Sequence, residues 1–172
     1  MLLLRIIILT TSLSLFGQTE DWKSYSKEDY TIKYPKDWEL DESGQLGTNF
    51  ILLSPTSSEQ DQFRENVNLL IQDLTGYNLN LDKFVEISED QIKKMITDGK
   101  ILNSKRIKDK GLNYQKVIFL GKPENINLKF EQYYWVVENK AFVLTLTCEE
   151  NQFDNYKTMG EKILNSFNFN EN

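Results

Sequence analysis

The sequence predicts an α/β (α+β) domain in which a central antiparallel β-sheet is sandwiched between helices, an α/β/α arrangement. Three observations predict this fold. Many short stretches alternate apolar and polar residues, as half-buried strands do, and two longer stretches repeat their apolar residues at the helical period. In addition, the strand predicted at residues 128–137 carries large apolar side chains on both faces, so it needs cover on both sides.

A β-hairpin within residues 125–147 is predicted to lie at the centre of this sheet. In its first strand, Tyr134 points to one face, whereas Tyr133 and Trp135 point to the other. The chain reverses at Asn139, because asparagine tolerates the left-handed backbone of a tight turn. Both faces of this hairpin therefore need to be buried.

Two stretches with the helical period predict the helices that bury the sheet. The first spans residues 81–97, with Asn80 as its N-cap and Gly99 closing its C-terminus. The second spans about residues 151–166. The two glutamates at residues 149–150 are placed at the start of the second helix, where they interact favourably with its dipole.

The other strands follow one another around polar turns. Trp38 comes shortly after Pro35, which ends a strand, and we interpret Trp38 as a core residue that packs under the sheet edge. Gly111 can adopt a positive φ in a later hairpin turn. The last four strands are joined by short connections and form an antiparallel meander. The predicted strands cover residues 22–26, 30–34, 49–53, 66–73, 101–108, 113–120, 128–137 and 141–147.

The N-terminus predicts a secretory signal peptide over residues 1–18, followed by a single domain over residues 19–172. The signal has one positive charge, Arg5, and an apolar run interrupted by Thr and Ser. That run is too short to span a bilayer comfortably, although an uncleaved anchor is the alternative. We therefore expect an exported protein, periplasmic or secreted, with no membrane span after signal removal.

Charge and cysteine content limit the partners and the chemistry. The 172-residue chain has a net charge of −6, and removing the predicted signal leaves 19 cationic side chains against 26 anionic ones. Such an acidic protein is repelled by phosphate backbones, so nucleic acid is not expected as a partner. Cys148 is the only cysteine, which excludes an internal disulfide, and we interpret it as a small buried hydrophobic residue.

The order of these features resembles the PsbP-like family. The resemblance rests on YTIKYPKDW at residues 30–38, Asn-Val-Asn at residues 66–68, FVLTLT at residues 142–147 and ILNSF at residues 163–167. Relatives in that family include the extrinsic oxygen-evolving-complex protein, mycobacterial lipoproteins of the LpqN type and the eukaryotic Mog-type Ran-binding factor. The resemblance covers about residues 25–169 and implies the same helix-covered antiparallel sheet. It does not determine the function.

The sequence contains no histidine, which excludes Ser–His and Cys–His nucleophile pairs and most catalytic zinc sites. Histidine-based metal sites of photosynthetic relatives therefore have no counterpart here. Asp37, Glu39, Asp41 and Glu42 offer oxygen ligands, but Gly44 does not fall where a Ca²⁺ loop needs its sharp turn, so cation binding there is an open question. We predict a protein that is not an enzyme, with no catalytic, cofactor-binding or metal site and no cofactor.

Three functional hypotheses follow, in order of preference. The first is an exported, monomeric, non-enzymatic binding or assembly module of the bacterial envelope; its partner is another envelope protein, and its candidate surface combines the loops at residues 41–47 and 56–65. The second is a carrier of a small apolar or aromatic ligand. It rests on aromatic residues that otherwise fill the core: Tyr77, Tyr133, Tyr134 and Trp135. The third is a hydrolase with paired carboxylates, although acids such as Glu131 and Glu138 are more simply interpreted as surface charges.

Overall fold

The structure is a computed structural model that describes residues 21–61, 63–109 and 112–170. The signal peptide predicted over residues 1–18 and the turn residue Gly111 lie outside these ranges. The strands within them are β1 Trp22–Ser26, β2 Tyr30–Pro35, β3 Glu39–Asp41, β4 Phe50–Leu53, β5 Asn66–Asp73, β6 Lys100–Asp109, β7 Leu112–Gly121, β8 Leu128–Val137, β9 Lys140–Glu149 and β10 Asn168–Phe169. The helices are α1 Leu81–Met95 and α2 Phe153–Asn165.

The strands form two antiparallel sheets. The larger has seven strands in the order β3-β4-β5-β9-β8-β7-β6, and the smaller has three in the order β1-β2-β10. The predicted meander is confirmed as β6 to β9, with the β8–β9 hairpin near the middle of the larger sheet. The short strands β3 and β10, and the separation of the N-terminal hairpin into a second sheet, were not predicted.

The predicted α/β/α sandwich is confirmed. Helix α1 packs on one face of the larger sheet over β6, β7 and β8, whereas α2 packs on the opposite face against β9, β5 and the smaller sheet. The alternation of β8 separates the two cores, because Tyr134 lies in the α1 core while Tyr133 and Trp135 lie in the α2 core. Trp38 is buried in the α2 core, as its position after the turn indicated.

Helix α1 begins at its predicted N-cap and ends slightly earlier than predicted. The Asn80 side chain accepts a hydrogen bond of 2.9 Å from the backbone N–H of Lys83. The left-handed residue beyond the helix is Asp98, with a φ of 55°, and not Gly99. Gly99 has a different role, because a Cβ at that position would overlap the backbone carbonyl of Ile92.

Helix α2 begins at Phe153, later than predicted. Glu149 is therefore the last residue of β9, and the acid in the first turn of α2 is Asp154. The stabilising contact with the helix dipole that we assigned to Glu149 and Glu150 belongs to Asp154 instead. Within the described ranges, neither helix is long and apolar enough to cross a membrane.

Candidate functional site

An aromatic cleft lies on the α2 side of the larger sheet, where the helix ends and leaves β7 and the end of β8 partly uncovered. Its volume is about 370 Å³, within the range of small ligand sites. We call it the aromatic cleft. It is lined by Leu112, Tyr114, Tyr133, Trp135, Leu164, Asn165, Phe167, Asn168, Phe169 and Asn170.

Strand register brings the central aromatic residues of the cleft together. Tyr133 and Trp135 are two residues apart on β8 and therefore share a face. In the register of β7 with β8, Lys116 lies opposite Tyr133, which places Tyr114 next to both rings. The ring centroid of Tyr114 lies 4.8 Å from that of Tyr133 and 5.2 Å from that of Trp135. Pairs at these distances stabilise one another beyond the area that they bury.

The C-terminal segment closes one side of the cleft. After α2, the Ser166 hydroxyl donates to the Lys33 carbonyl at 3.0 Å and accepts from the Lys33 N–H at 2.9 Å, which fixes the segment to β2. Phe167 and Phe169 then pack against Trp135, with centroid distances of 5.2 and 5.9 Å. This side of the cleft therefore depends on β10, the strand that the sequence did not predict.

The accessible surface of the cleft is partly apolar and partly polar, with aromatic rings on its floor and amides at its rim. Trp135 is only 6% exposed and forms the floor, whereas Leu112, at 37%, stands at the mouth beside the half-buried Tyr114. At the rim, the Asn165 Oδ1 accepts a hydrogen bond of 3.2 Å from the Tyr133 hydroxyl. The Asn170 side chain is held by the smaller sheet, since its amide donates to two backbone carbonyls and its oxygen accepts from Thr31.

Among the described residues, the lining of the cleft carries no charge, because it contains no Asp, Glu, Lys or Arg. Burial, followed by the negative charge of Glu131, raises the pKa of Tyr133, so that this phenol stays protonated at neutral pH. Such a site can bind an apolar or aromatic group and donate or accept single hydrogen bonds at its rim.

A buried ion cluster lies next to the cleft, on the same face. Lys116 on β7 contacts Glu131 on β8 at 2.6 Å and Glu161 on α2 at 2.9 Å. Burial by itself lowers the pKa of Lys116, but the hydrogen bonds to the two carboxylates outweigh it and raise that pKa. The interpretation of Glu131 as a surface charge is wrong, because this residue is 0% exposed.

The carboxylates proposed for a hydrolase do not line the aromatic cleft. Glu131 and Glu161 come close together, but both are bound by the same lysine. Two acids, Glu149 and Glu150, line a separate polar groove of about 470 Å³ with Asn125, Ile126, Asn127 and Asn151. These two acids are consecutive residues at the end of β9. They therefore come from one segment of the chain, whereas paired catalytic carboxylates face each other from the two sides of a substrate.

The aromatic residues proposed for a carrier are only partly brought together. Tyr133 and Trp135 line the cleft. Tyr134 points into the opposite core, where its hydroxyl donates to the Gln132 side chain, and Tyr77 is 71% exposed in the loop before α1. Tyr114, Phe167 and Phe169, which complete the site, were missed, because the signal for them is long-range packing and not a local pattern.

The two loops proposed as a binding surface lie at opposite ends of β4. The loop proposed at residues 41–47 precedes this strand, and the loop proposed at residues 56–65 follows it. The acids near the first loop have separate partners: Arg64 binds Glu39, the Ser43 N–H binds Asp41, and Lys27 binds Glu42. In the described part of the chain, no cluster of three or more His, Cys, Asp or Glu residues is suited to holding a metal ion.

Comparison with protein-family models finds no match, and comparison with curated proteins finds none. Solved structures do match. The cyanobacterial PsbP protein (CyanoP) from Synechocystis is similar with a TM-score of 0.62 and 15% identity, over 94% of this chain and 99% of that one. LpqN from Mycobacterium tuberculosis, involved in cell envelope biogenesis, gives a TM-score of 0.63 and 13% identity, over 91% and 88%.

A third solved structure is also similar. It is a protein of unknown function, PA94, from Pseudomonas aeruginosa, with a TM-score of 0.60 and 12% identity, over 83% of this chain and 93% of that one. At these identities the comparisons establish the fold and no more. The fold is PsbP-like.

Proposed function

We propose that the chain is a non-catalytic binding module of the bacterial cell envelope, whose partner is another envelope protein. The observation that carries this proposal is the aromatic cleft, whose described lining consists of aromatic, aliphatic and amide side chains without charge. Such a lining binds an apolar group through its area and leaves that group chemically unchanged. The absence of histidine from the sequence also supports a role without catalysis.

The envelope location rests on two independent features. Residues 1–18 have the pattern of a secretory signal peptide, with Arg5 before an apolar run. A protein with the same fold, LpqN, is involved in cell envelope biogenesis. Both features support a periplasmic or secreted module.

The binding energy that one buried ring supplies favours a protein partner over a free small ligand. One aromatic side chain buries about 150–250 Å², which corresponds to about 4–6 kcal/mol of gross apolar stabilisation. Association itself costs about 4–15 kcal/mol, so one buried ring gives weak binding unless other contacts add to it. We therefore infer that the cleft receives an apolar or aromatic side chain of a partner that also contacts the surrounding surface.

A charge placed at the mouth of the cleft tests the proposal. In Leu112→Glu, a carboxylate stands where the incoming apolar group must pass, while the buried rings are untouched. The matched control is Ile87→Glu, because Ile87 is similarly exposed but lies on α1, on the opposite side of the sheet. Both variants are used as immobilised bait with detergent-solubilised envelope proteins at several salt concentrations, with capture measured by quantitative mass spectrometry.

We expect the wild-type chain and Ile87→Glu to capture the same partner in equal amounts. Leu112→Glu should capture about tenfold less of it. Capture of no protein above the background of uncoupled resin, or equal capture by Leu112→Glu, would overturn the proposal. Fractionation of cells into cytoplasm, periplasm and medium tests the location separately.

The second candidate function is a carrier of a small apolar or aromatic ligand, which the same cleft supports. Its test uses purified protein and a simple probe, indole, titrated while the Trp135 side-chain NMR signal is followed. Binding at micromolar concentration that is lost in Leu112→Glu and kept in Ile87→Glu would support a carrier. No shift of the Trp135 signal up to millimolar indole would exclude a tight site for small aromatic ligands.

A further inference from the structure

Strand β6 is a long, open edge of the larger sheet. It spans Lys100–Asp109, and within the described residues it pairs only with β7. The opposite edge, β3, has only three residues. An edge strand presents unpaired N–H and C=O groups along its free side, which can accept a further strand. The register of β6 with β7 shifts between Ile101 and Asn103, so the regular part of this edge spans residues 103–109, which is still long enough for specific pairing.

This edge is basic in an otherwise acidic protein. It carries Lys100, Lys105, Arg106 and Lys108, whereas the whole chain has a net charge of −6. Arg106 is paired with Asp82 at 2.6 Å. The three lysines are exposed and have no ion pair among the described residues.

The lysines of the edge lie on both of its faces. Lys105 and Lys108 are three residues apart and therefore point to opposite faces of β6, about 10 Å apart along the strand, which exceeds the Debye length of about 8 Å at physiological salt, so each acts separately on the acidic residues nearest to it. The basic edge therefore attracts an acidic segment. It also repels a second copy of itself, because antiparallel pairing of two β6 edges would bring lysines of both copies close together.

The edge leads to the aromatic cleft. In the β6–β7 register, Ile107 lies opposite Tyr114, and Asp109 lies opposite Leu112. Both β7 residues line the cleft. A segment paired with the C-terminal half of β6 lies about 10 Å from the backbone of these β7 residues, so a large side chain on the cleft face points across β6 towards the mouth of the cleft.

We propose that β6 binds an extended acidic segment of the partner by strand addition, and that an apolar or aromatic residue of this segment reaches the aromatic cleft. This inference rests on the proposed binding function and names the chemistry of the partner. Main-chain hydrogen bonds to β6 supply affinity, the lysines select acidic side chains, and the cleft fixes the register.

The test uses three synthetic ten-residue peptides. The first alternates Glu with Val and Thr and has one Phe near an end. The second replaces every Glu with Lys. The third keeps the acidic side chains but has N-methyl groups on alternate backbone nitrogens, which removes strand pairing while leaving the charge unchanged. Binding is followed by NMR titration of ¹⁵N-labelled protein and by amide hydrogen exchange of β6.

Two double charge reversals complete the design. Lys105→Glu with Lys108→Glu reverses the basic edge, and Lys23→Glu with Lys157→Glu reverses two exposed lysines on β1 and α2 as a matched control. We expect the acidic peptide to bind wild-type protein and to slow the exchange of β6 amides. Reversal of the edge should weaken binding at least about tenfold, while the control stays within about twofold.

Equal binding of the N-methylated peptide would show that strand addition does not occur. Equal binding of the Lys peptide would show that the lysines do not select acidic segments, and either result would overturn the inference. Protection of β6 by self-association of the free protein, measured by sedimentation, would assign the edge to a second copy and also overturn the inference. If Leu112→Glu loses the captured envelope partner while no acidic peptide protects β6, then the binding function stands and the strand-addition inference fails. The two proposals can therefore fail separately.

Discussion

Lys116 Nζ lies 2.6 Å from Oε1 of Glu131, whose side chain is completely enclosed between the larger sheet and α2. The other oxygen, Oε2, has no hydrogen-bond donor among the described residues. Lys116 also contacts Glu161 on α2 at 2.9 Å. One lysine therefore neutralises a buried carboxylate and connects the helix to the sheet beside the aromatic cleft.

Removing this lysine should be strongly destabilising. In Lys116→Met the hydrocarbon part of the side chain is kept, but Glu131 is left as an uncompensated buried charge, which costs about 3–5 kcal/mol. Because the pKa of Lys116 is raised in the fold, the bridge contributes fully below the unfolded lysine pKa of about 10.4 and is lost only as the pH rises through the folded value. Chemical denaturation at pH 7 measures the loss.

The double variant Lys116→Met with Glu131→Leu separates charge from packing. Replacing a buried pair by apolar residues of similar size is often neutral or stabilising, so we expect the double variant to recover most of the stability that the single variant loses. If the two substitutions have additive destabilising effects, the buried charge is not the cause of the loss.

Glu65 provides a prediction about pH. It is 2% exposed, its Oε1 has no partner among the described residues, and burial raises its pKa. An acid with a raised pKa favours folding in its protonated form. The stabilising contribution of protonated Glu65 is therefore fully present below the unfolded glutamate pKa of about 4.3. It is lost as the pH rises through the pKa of Glu65 in the folded protein.

Glu65→Gln should consequently stabilise the protein at pH 7, by about 1 kcal/mol, and leave its stability unchanged at about pH 4. Denaturant unfolding at pH 4, 5.5 and 7 checks this, with the exposed Glu59→Gln as control. A stability difference between wild type and Glu65→Gln that is the same at all three pH values would contradict the prediction.

The alternation and helical periods of the sequence were enough to predict the main strands and both helices. The alternation in β8 placed Tyr133 and Trp135 on one face, and the turn with Asn139 is confirmed by its φ of 59°. The helical stripes predicted α1 and α2 and their opposite sides, because each stripe must be buried against a sheet face.

Features that depend on distant partners could not be predicted. Glu131 shares a face of β8 with Tyr133, and only the ion pair with Lys116 compensates the burial of its carboxylate. Strand β10 has two residues and owes its conformation to pairing with β2. The cleft consists of residues from several elements, so the central rings were predictable but the side formed by Phe167 and Phe169 was not.

Gly160 allows α2 to approach the sheet closely. A Cβ at this position would lie 2.7 Å from Cδ1 and 3.1 Å from Cγ of Leu146, which is fully buried on β9. Gly160→Ala should therefore destabilise the protein by about 1–3 kcal/mol through overpacking, although its higher helix propensity offsets up to about 1 kcal/mol. Thr158→Ala, at an exposed position of the same helix, is the control for propensity.

The overpacking should be relieved by a smaller partner. Leu146→Val alone leaves a cavity, but combined with Gly160→Ala the added methyl group occupies part of that space. We expect the double variant to lose less stability than the sum of the losses in the two single variants. Thermal unfolding of the four proteins measures this coupling, and strict additivity would show that Leu146 does not limit the helix approach.

Cys148 should be unreactive in the folded protein. It is fully buried in the α2 core, and burial, together with the charges of Glu65 and Glu131, raises the pKa of its thiol. The thiolate is the reactive species, so both access and ionisation oppose modification. With a thiol reagent such as DTNB at pH 8, we expect labelling only through unfolding, at a rate that increases with denaturant and matches the slowest exchanging core amides. Complete labelling within seconds in buffer, with an unchanged circular dichroism spectrum, would place the thiol at the surface and would contradict the packing of β9 against α2.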